Sequence, residues 1–317
     1  MNNILEIENL DVHFPINIGT VRAVDDVNWK LRQGEVMGLV GESGCGKSTL
    51  GFSIQRLLRP PGKIVNGRIL YHGQDIVRMT EKEVLDLRGS KIAMIFQDPL
   101  TSLNPLFRID QHFLETMFTH DKGLKKAEAF KKAEQMLESL GISPDRLLEY
   151  PHQLSGGMRQ RIMIGLGLIL QPDLLIADEP TTALDVIVEA QFLDLLADLQ
   201  KKFNLTIILI THNLGNVAQL ADRISVMYGG NMVEVAEANS IFENPLHPYT
   251  QGLLSSIPNI KLDQPKLKTM PGSPPDLVNP PPGCVFHPRC PQAKGVCKTK
   301  KPETKTKDGH LVSCWLY

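Results

Sequence analysis

The residues Gly41-Glu42-Ser43-Gly44-Cys45-Gly46-Lys47-Ser48-Thr49 follow the pattern G-x-x-x-x-G-K-S/T, a spacing with one well-defined chemistry. Its glycines let the backbone wrap phosphate oxygens with inward amide hydrogens, at the positive end of the helix that follows. In such a loop Lys47 reaches the β- and γ-phosphates, and Ser48 offers a hydroxyl oxygen to Mg²⁺. Cys45 fills a variable position, where a packed or idle thiol is expected rather than a catalytic one. A second set closes LLIADEP (Leu174–Pro180). Asp178, ending an apolar run, can hold Mg²⁺ through water, and Glu179 beside it can polarise the attacking water as catalytic base or water positioner. Alone, an acid pair after a strand is an ordinary solvated turn. In a chain that also carries a phosphate loop it reads as hydrolytic.

These residues need elements to position them, and the flanking text supplies them. EVMGLV (Glu35–Val40) reads as a buried strand leading into the glycine-rich loop, and LGFSIQRLL after it has helical spacing. The first forty residues alternate apolar and polar side chains, the period of half-buried strands. IAMIFQ (Ile92–Gln97) reads as another buried strand, followed by a helical insertion. Its clearest helix is LKKAEAFKKAEQMLESLG, where Leu124, Ala127, Phe130, Met136, Leu137 and Leu140 can form one face and Gly141 stops it. Next come a strand at Leu174–Asp178, a helix near Val186–Phe203, a strand at Leu205–His212, a short helix at Leu214–Leu220, and a hairpin turned at Gly229-Gly230. Such alternation predicts an α/β fold with a mainly parallel sheet covered on both faces.

Composition narrows the class. The chain of 317 residues has 42 % hydrophobic and 22 % charged content, a globular balance long enough for two domains. Its longest nearly pure apolar stretch, Ile162–Leu170, is about half a bilayer crossing. Met1–Leu10 lacks the basic and apolar segments of a signal peptide, so a cytosolic chain is expected. A net charge of −1 offers no general footprint for nucleic acid. Half of the 22 prolines lie between Pro258 and Pro302, and residues 261–317 carry ten Lys/Arg against four Asp/Glu. That tail has no apolar periodicity and must be held by something other than an apolar core. Four of the five cysteines sit in it with spacing C-x5-C-x6-C-x16-C. The C-x2–4-C half of a common zinc module is missing. Composition leaves an iron–sulfur cluster, zinc and unliganded thiols open.

LSGGMRQR (Leu154–Arg161) resembles the signature motif of ABC transporter nucleotide-binding subunits, and the likeness covers residues 4–257 in order. The resemblance implies a P-loop NTPase fold of ABC type with a helical subdomain insertion at about 98–165. It implies an ABC domain over 1–257 and a separate C-terminal extension over 258–317. It places Phe14 on adenine, although a strand phenylalanine is ordinarily core. Gln97 would sense Mg²⁺ and the attacking water, Ala183-Leu184-Asp185 would form the D-loop, and His212 would bond the γ-phosphate and hold Glu179 in line. Two such domains pair head to tail in this family. Leu154, Ser155, Gly156, Gly157 and Met158 of one would then close on ATP held by the other's loop. Met158 and Asn213 depart from the family's usual glutamine and aspartate without removing a phosphate ligand.

IFQDPLTSLNP, YPHQLSGGMRQR, NPLHPYTQGLL and PPGCVFHPRCP resemble the peptide and nickel importer group, specifically its oligopeptide/dipeptide ATPases. That implies an ATPase peripheral on the cytoplasmic face of the membrane, energising dipeptide or oligopeptide uptake. Its partners would be a second, non-identical ATPase, two permeases and an extracellular solute-binding protein. Nickel or another small solute is the alternative cargo, and a soluble non-transport ABC ATPase a more distant one. The cysteine segment resembles the motif of dipeptide-type subunits, implying that Cys284, Cys290, Cys297 and Cys314 hold a [4Fe–4S] cluster as a metal staple, with Zn²⁺ as alternative. His287 and His310 are expected to be bystanders.

Overall fold

Apolar runs become buried strands in a computed structural model that describes residues 2–97, 103–182, 184–256 and 270–317. The first is Val36–Val40, buried at all five positions. It pairs in parallel with Arg223–Tyr228, Met37 opposite Arg223 and Val40 opposite Val226. Continuous burial is what a strand covered on both faces requires. The hairpin expected at Gly229-Gly230 is present, with positive φ at both residues (53° and 79°) and Asn231–Glu237 returning antiparallel.

These strands belong to one of two compact units, Met1–Met79 with Leu209–Tyr317. The same unit contains an antiparallel sheet of Asn3–Ile16, Gly19–Arg32, Lys63–Tyr71 and Gln74–Asp75, with the first strand between the second and third. The expectation of a mainly parallel sheet is therefore corrected to mixed sheets. Alternating sequence buries one face and leaves the other wet, which antiparallel pairing tolerates. Trp29 braces this sheet, its Nε1–H donating to buried Ser225 Oγ at 2.7 Å.

The other unit, Thr80–Ile208, pairs Ile92–Ile95 in parallel with Leu174–Asp178 and carries the helices Ile109–His120, Lys126–Ser139 and Gly156–Leu168. The start of the expected insertion, 98–102, lies outside the described residues. Gly141 ends its helix as expected, with φ +69°. The expected buried face holds in part. Ala129, Ala133, Met136 and Leu137 are buried, whereas Ala127 is exposed and Phe130 half-buried. Leu140 is buried as expected too, so the face is right at its C-terminal end and turned by one or two residues at its start, where Ala129 and Ala133 take the inward positions.

The C-terminal region is more conventionally held than its composition suggests. Thr304–Lys307 and His310–Ser313 form a hairpin turned at Asp308-Gly309, and its second strand extends the sheet edge, Val312 opposite Glu234 and Leu311 opposite Val235. Asp-Gly is a strong hairpin signal. Phe286 is 1 % exposed and packs on Tyr228 and Tyr249, at ring separations of 5.1 and 5.4 Å. An aromatic anchor and an added strand thus replace the expectation of a tail without apolar support. His310 instead has a place in the packing of the fold. It is buried, with Nδ1 2.7 Å from the fully buried Glu234, whose carboxylate also accepts the N–H groups of Leu246 and His247.

His247 makes a pH prediction. Its Nδ1 accepts the Tyr249 N–H at 3.0 Å, capping the helix Pro248–Ser255, and burial pulls its pKa from 6.5 down to about 3. Below 6.5 the unfolded chain takes up a proton that the folded chain refuses until about 3. This contribution therefore leaves stability intact above that window and erodes it as pH falls through it. From pH 7 to pH 5 the expected loss is about 2 kcal/mol, and His247→Asn, which caps without titrating, should remove it. Denaturant unfolding at both pH values checks this, and an unchanged pH slope in the variant would contradict it.

Candidate functional site

The glycine-rich loop follows strand Val36–Val40 directly, and its helix begins at Lys47 and runs to Ile54. Gly41 (φ +155°) and Gly46 (φ +106°) admit no side chain. A Cβ would stand 2.2 Å from the Met227 carbonyl oxygen in the first case and 2.1 Å from that of Ala23 in the second. The backbone is thus wedged against its neighbours, fixing the loop's curvature. Lys47 is 5 % exposed, and its Nζ donates to the carbonyls of Gly41 at 2.9 Å and Glu42 at 3.0 Å. Ser43 and Gly44 are exposed, while Ser48 and Thr49 are half-buried. Cys45 is buried, and burial pushes its thiol up. Its environment is that of a packed thiol rather than a nucleophile.

Two further groups of this unit bear on the expected roles. The Phe14 ring is half-buried and lies over the backbone of Gly62, where a Cβ would meet it at 2.3 Å. His212 is exposed just beyond strand Thr206–Thr211. Asn213 caps the next helix, its Oδ1 accepting the Gly215 N–H at 2.9 Å. Asparagine caps as well as aspartate, so the departure at this position keeps the local geometry.

In the second unit, strand Leu174–Asp178 delivers a buried Asp178 and turns sharply at Glu179, which sits at φ +45°. A non-glycine residue in the left-handed region is strained, and such strain collects at functional sites. The Glu179 carboxylate accepts from Gln97 Nε2 at 3.3 Å and from Thr182 Oγ1 at 3.1 Å. Gln97 and Glu179 are thus brought together. Thr182 is a partner that the sequence did not single out, although it lies two residues after Pro180, the end of LLIADEP.

The same unit presents the signature residues. Leu154 is buried, whereas Ser155 and Gly156 are exposed at the start of helix Gly156–Leu168, and Gly157 and Met158 are half-buried. Ser155 Oγ accepts the Met158 backbone N–H at 3.3 Å. The cap uses the backbone of residue 158, so methionine there leaves it intact. Asp185 caps helix Val186–Phe203, accepting the N–H groups of Ile187 and Val188 at 3.1 and 2.9 Å. Ala183 of the expected D-loop lies outside the described residues.

The four tail cysteines are free thiols, Cys297 buried and the others half-buried. Burial pushes Cys284 up to about 11, the Phe286 N–H opposes it, and the charges of Cys297, Cys314 and Cys290 push it further. Cys290 and Cys314 are likewise raised by burial and opposed by the N–H groups of Gln292 and Leu316. Lys294 N–H donates to Cys297 Sγ at 3.4 Å. Among the described residues, no three His, Cys, Asp or Glu side chains converge closely enough for a single metal ion. Nor is any described helix long and apolar enough to cross a membrane.

Residues 24–182 match the ABC transporter family, and residues 233–297 match the oligopeptide/dipeptide transporter C-terminal region. The dipeptide transport ATP-binding protein DppD of Bacillus subtilis is 50 % identical, the alignment covering 100 % of this chain and 95 % of that protein. The oligopeptide transport ATP-binding protein OppD of Salmonella typhimurium is 45 % identical over 99 % of this chain and 94 % of its own length. Among solved structures, the ATP-binding cassette MJ0796, a dimer in a post-hydrolysis state bound to ADP and Pi, superposes with TM-score 0.66. It is 25 % identical and covers 74 % of this chain and 98 % of its own. With a glycine-rich loop wedged around Lys47, an acid pair on a strained turn and likeness running the length of the sequence, the chain belongs to the ATP-binding subunits of oligopeptide and dipeptide ABC transporters.

Proposed function

We propose that this chain hydrolyses ATP to energise import of dipeptides or oligopeptides, as a peripheral subunit on the cytoplasmic face of the membrane. The observation that carries this reading is the extent of the likeness. It continues through residues 233–297, a region matched to peptide transporters, and along nearly all of DppD and OppD. In this reading Gly41–Thr49 binds the triphosphate, Lys47 offsets its charge, and Ser48, Gln97 and Asp178 hold Mg²⁺, which supplies further charge neutralisation when bound. Glu179 takes a proton from water as its oxygen attacks the γ-phosphorus and the bond to ADP breaks. Gln97 and Thr182 orient that carboxylate, and His212 bonds the γ-phosphate. Phe14 stacks on adenine.

Exposed Ser155 and Gly156, with Leu154, Gly157, Met158 and Asp185, complete the site of a second, non-identical ATPase beneath two permeases, with an extracellular solute-binding protein delivering cargo. The dimeric state of MJ0796 supports pairing of this kind. The border between the nucleotide domain (1–257) and the extension (258–317) belongs to the same proposal. So does a [4Fe–4S] cluster on Cys284, Cys290, Cys297 and Cys314. The support for the cluster is the run of four cysteines and the likeness of PPGCVFHPRCP to dipeptide-type subunits.

Reconstitution in proteoliposomes with the cognate ATPase, permeases and solute-binding protein tests the function. Peptide uptake should require ATP on the subunit's side, and ATP turnover should rise several-fold over that of the isolated chain. Uptake of nickel without peptide would overturn the cargo class. Full, concentration-independent turnover by a verified monomer would overturn the shared site.

A further inference from the structure

Glu42, the first variable residue of the glycine-rich loop, brings a negative charge to a loop that must receive polyanionic phosphate. The fold holds this residue at three points. Its N–H donates to Tyr249 Oη at 2.9 Å, and its carbonyl accepts Lys47 Nζ at 3.0 Å. Its carboxylate receives both prongs of Arg289, Nη1 to Oε2 at 2.8 Å and Nη2 to Oε1 at 3.0 Å.

Arg289 lies 247 residues further along, between Cys284 and Cys290. Its side chain is 7 % exposed and that of Glu42 25 %, so water screens the contact poorly. The guanidinium is itself fixed. Nε donates to the Pro271 carbonyl at 2.9 Å, Nη1 also reaches Tyr228 Oη at 3.3 Å, and the group lies 5.7 Å from the Tyr228 ring centre. The backbone N–H of Arg289 donates to the Phe286 carbonyl at 3.0 Å, and Phe286 is the buried anchor of the C-terminal region. A fork held on all sides offers its two donors in one geometry, which a lysine cannot reproduce.

A buried ion pair is weak ground for stability, because desolvation offsets much of the attraction. Its effect on a ligand is different. Were the guanidinium removed, an uncompensated carboxylate would remain on the loop that receives the phosphates, in a poorly screened setting. The loop would also lose the contact that fixes its first variable residue.

We propose that Arg289 is a positioning residue of the nucleotide site, acting through Glu42 to neutralise the loop's own carboxylate and to fix the loop for ATP. The proposal rests on reading Gly41–Thr49 as the ATP loop, and it makes the C-terminal region a working part of nucleotide binding.

The test is a charge cycle in the assembled transporter, measuring ATP Kd by direct nucleotide binding and KM and kcat by hydrolysis. Arg289→Gln should raise Kd and KM about tenfold, more than it lowers kcat. Arg289→Lys, which keeps the charge and loses the fork, should fall between. The double variant Arg289→Gln/Glu42→Gln should return to the values of Glu42→Gln alone, since no charge remains to neutralise. A double variant as impaired as Arg289→Gln would overturn the proposal in favour of a merely structural anchor. Unchanged Kd and KM in Arg289→Gln would overturn it too, as would failure of every Arg289 variant to assemble while Glu42→Gln assembles. Lys47→Ala in the same assays separates the two levels. If it binds ATP as the parent does, the loop assignment fails rather than the clamp.

Discussion

Glu179→Gln in the assembled transporter is expected to bind ATP within a few-fold of the parent while hydrolysing it roughly 10²- to 10⁴-fold more slowly. The amide is nearly isosteric and keeps an oxygen for Gln97 and Thr182, which lie 3.3 and 3.1 Å from the carboxylate. What it loses is the capacity to take a proton from water. Lys47→Ala should behave differently and weaken binding as well as turnover, since its ammonium is the buried cation held at the loop's Gly41 and Glu42 carbonyls. Equilibrium nucleotide binding and steady-state hydrolysis, measured separately, distinguish the two. A Glu179→Gln assembly turning over at the parental rate would sink the assignment of the base.

The second large effect is expected in metal content. Anaerobically purified protein should carry about four irons and four acid-labile sulfides per chain, the stoichiometry of one [4Fe–4S] centre. Replacing any one of Cys284, Cys290, Cys297 or Cys314 by serine should remove most of both and open the C-terminal region to protease. Nucleotide affinity should weaken no further than in Arg289→Gln, because opening the region can release the Arg289 fork from Glu42 but leaves Lys47 and the loop itself in place. One zinc per chain with no sulfide would replace the cluster by a zinc staple. No metal at all would leave the thiols structural.

Much of the site is legible in the sequence because it is local. The glycine-rich loop is one uninterrupted run, and an apolar pentapeptide followed by Asp178-Glu179 can scarcely be anything but a buried strand ending in acids. Local chemistry also explains the two departures from family usage. Methionine at 158 leaves a backbone cap intact, and asparagine at 213 caps as aspartate would. Helix facing was less legible. A 3.6-residue period locates a helix, but several apolar stripes fit KAEAFKKAEQML, and packing turned Ala129 and Ala133 inward in place of Ala127 and Phe130 while keeping Met136, Leu137 and Leu140 buried.

Strands, glycine-rich loop, acid pair and family are readable from the residues because each is encoded within a few consecutive positions by periodicity or by a fixed spacing of glycines and charges. What holds the C-terminal region emerges from three-dimensional packing. Proline-rich text with no period gave no sign that Phe286 would seat against Tyr228 and Tyr249, or that His310 would reach Glu234. Nor did it show that Arg289 would grip Glu42 across 247 residues. Such contacts depend on chain paths that bring distant segments together, and a side chain's partner across that distance is set by packing rather than by its neighbours in the sequence.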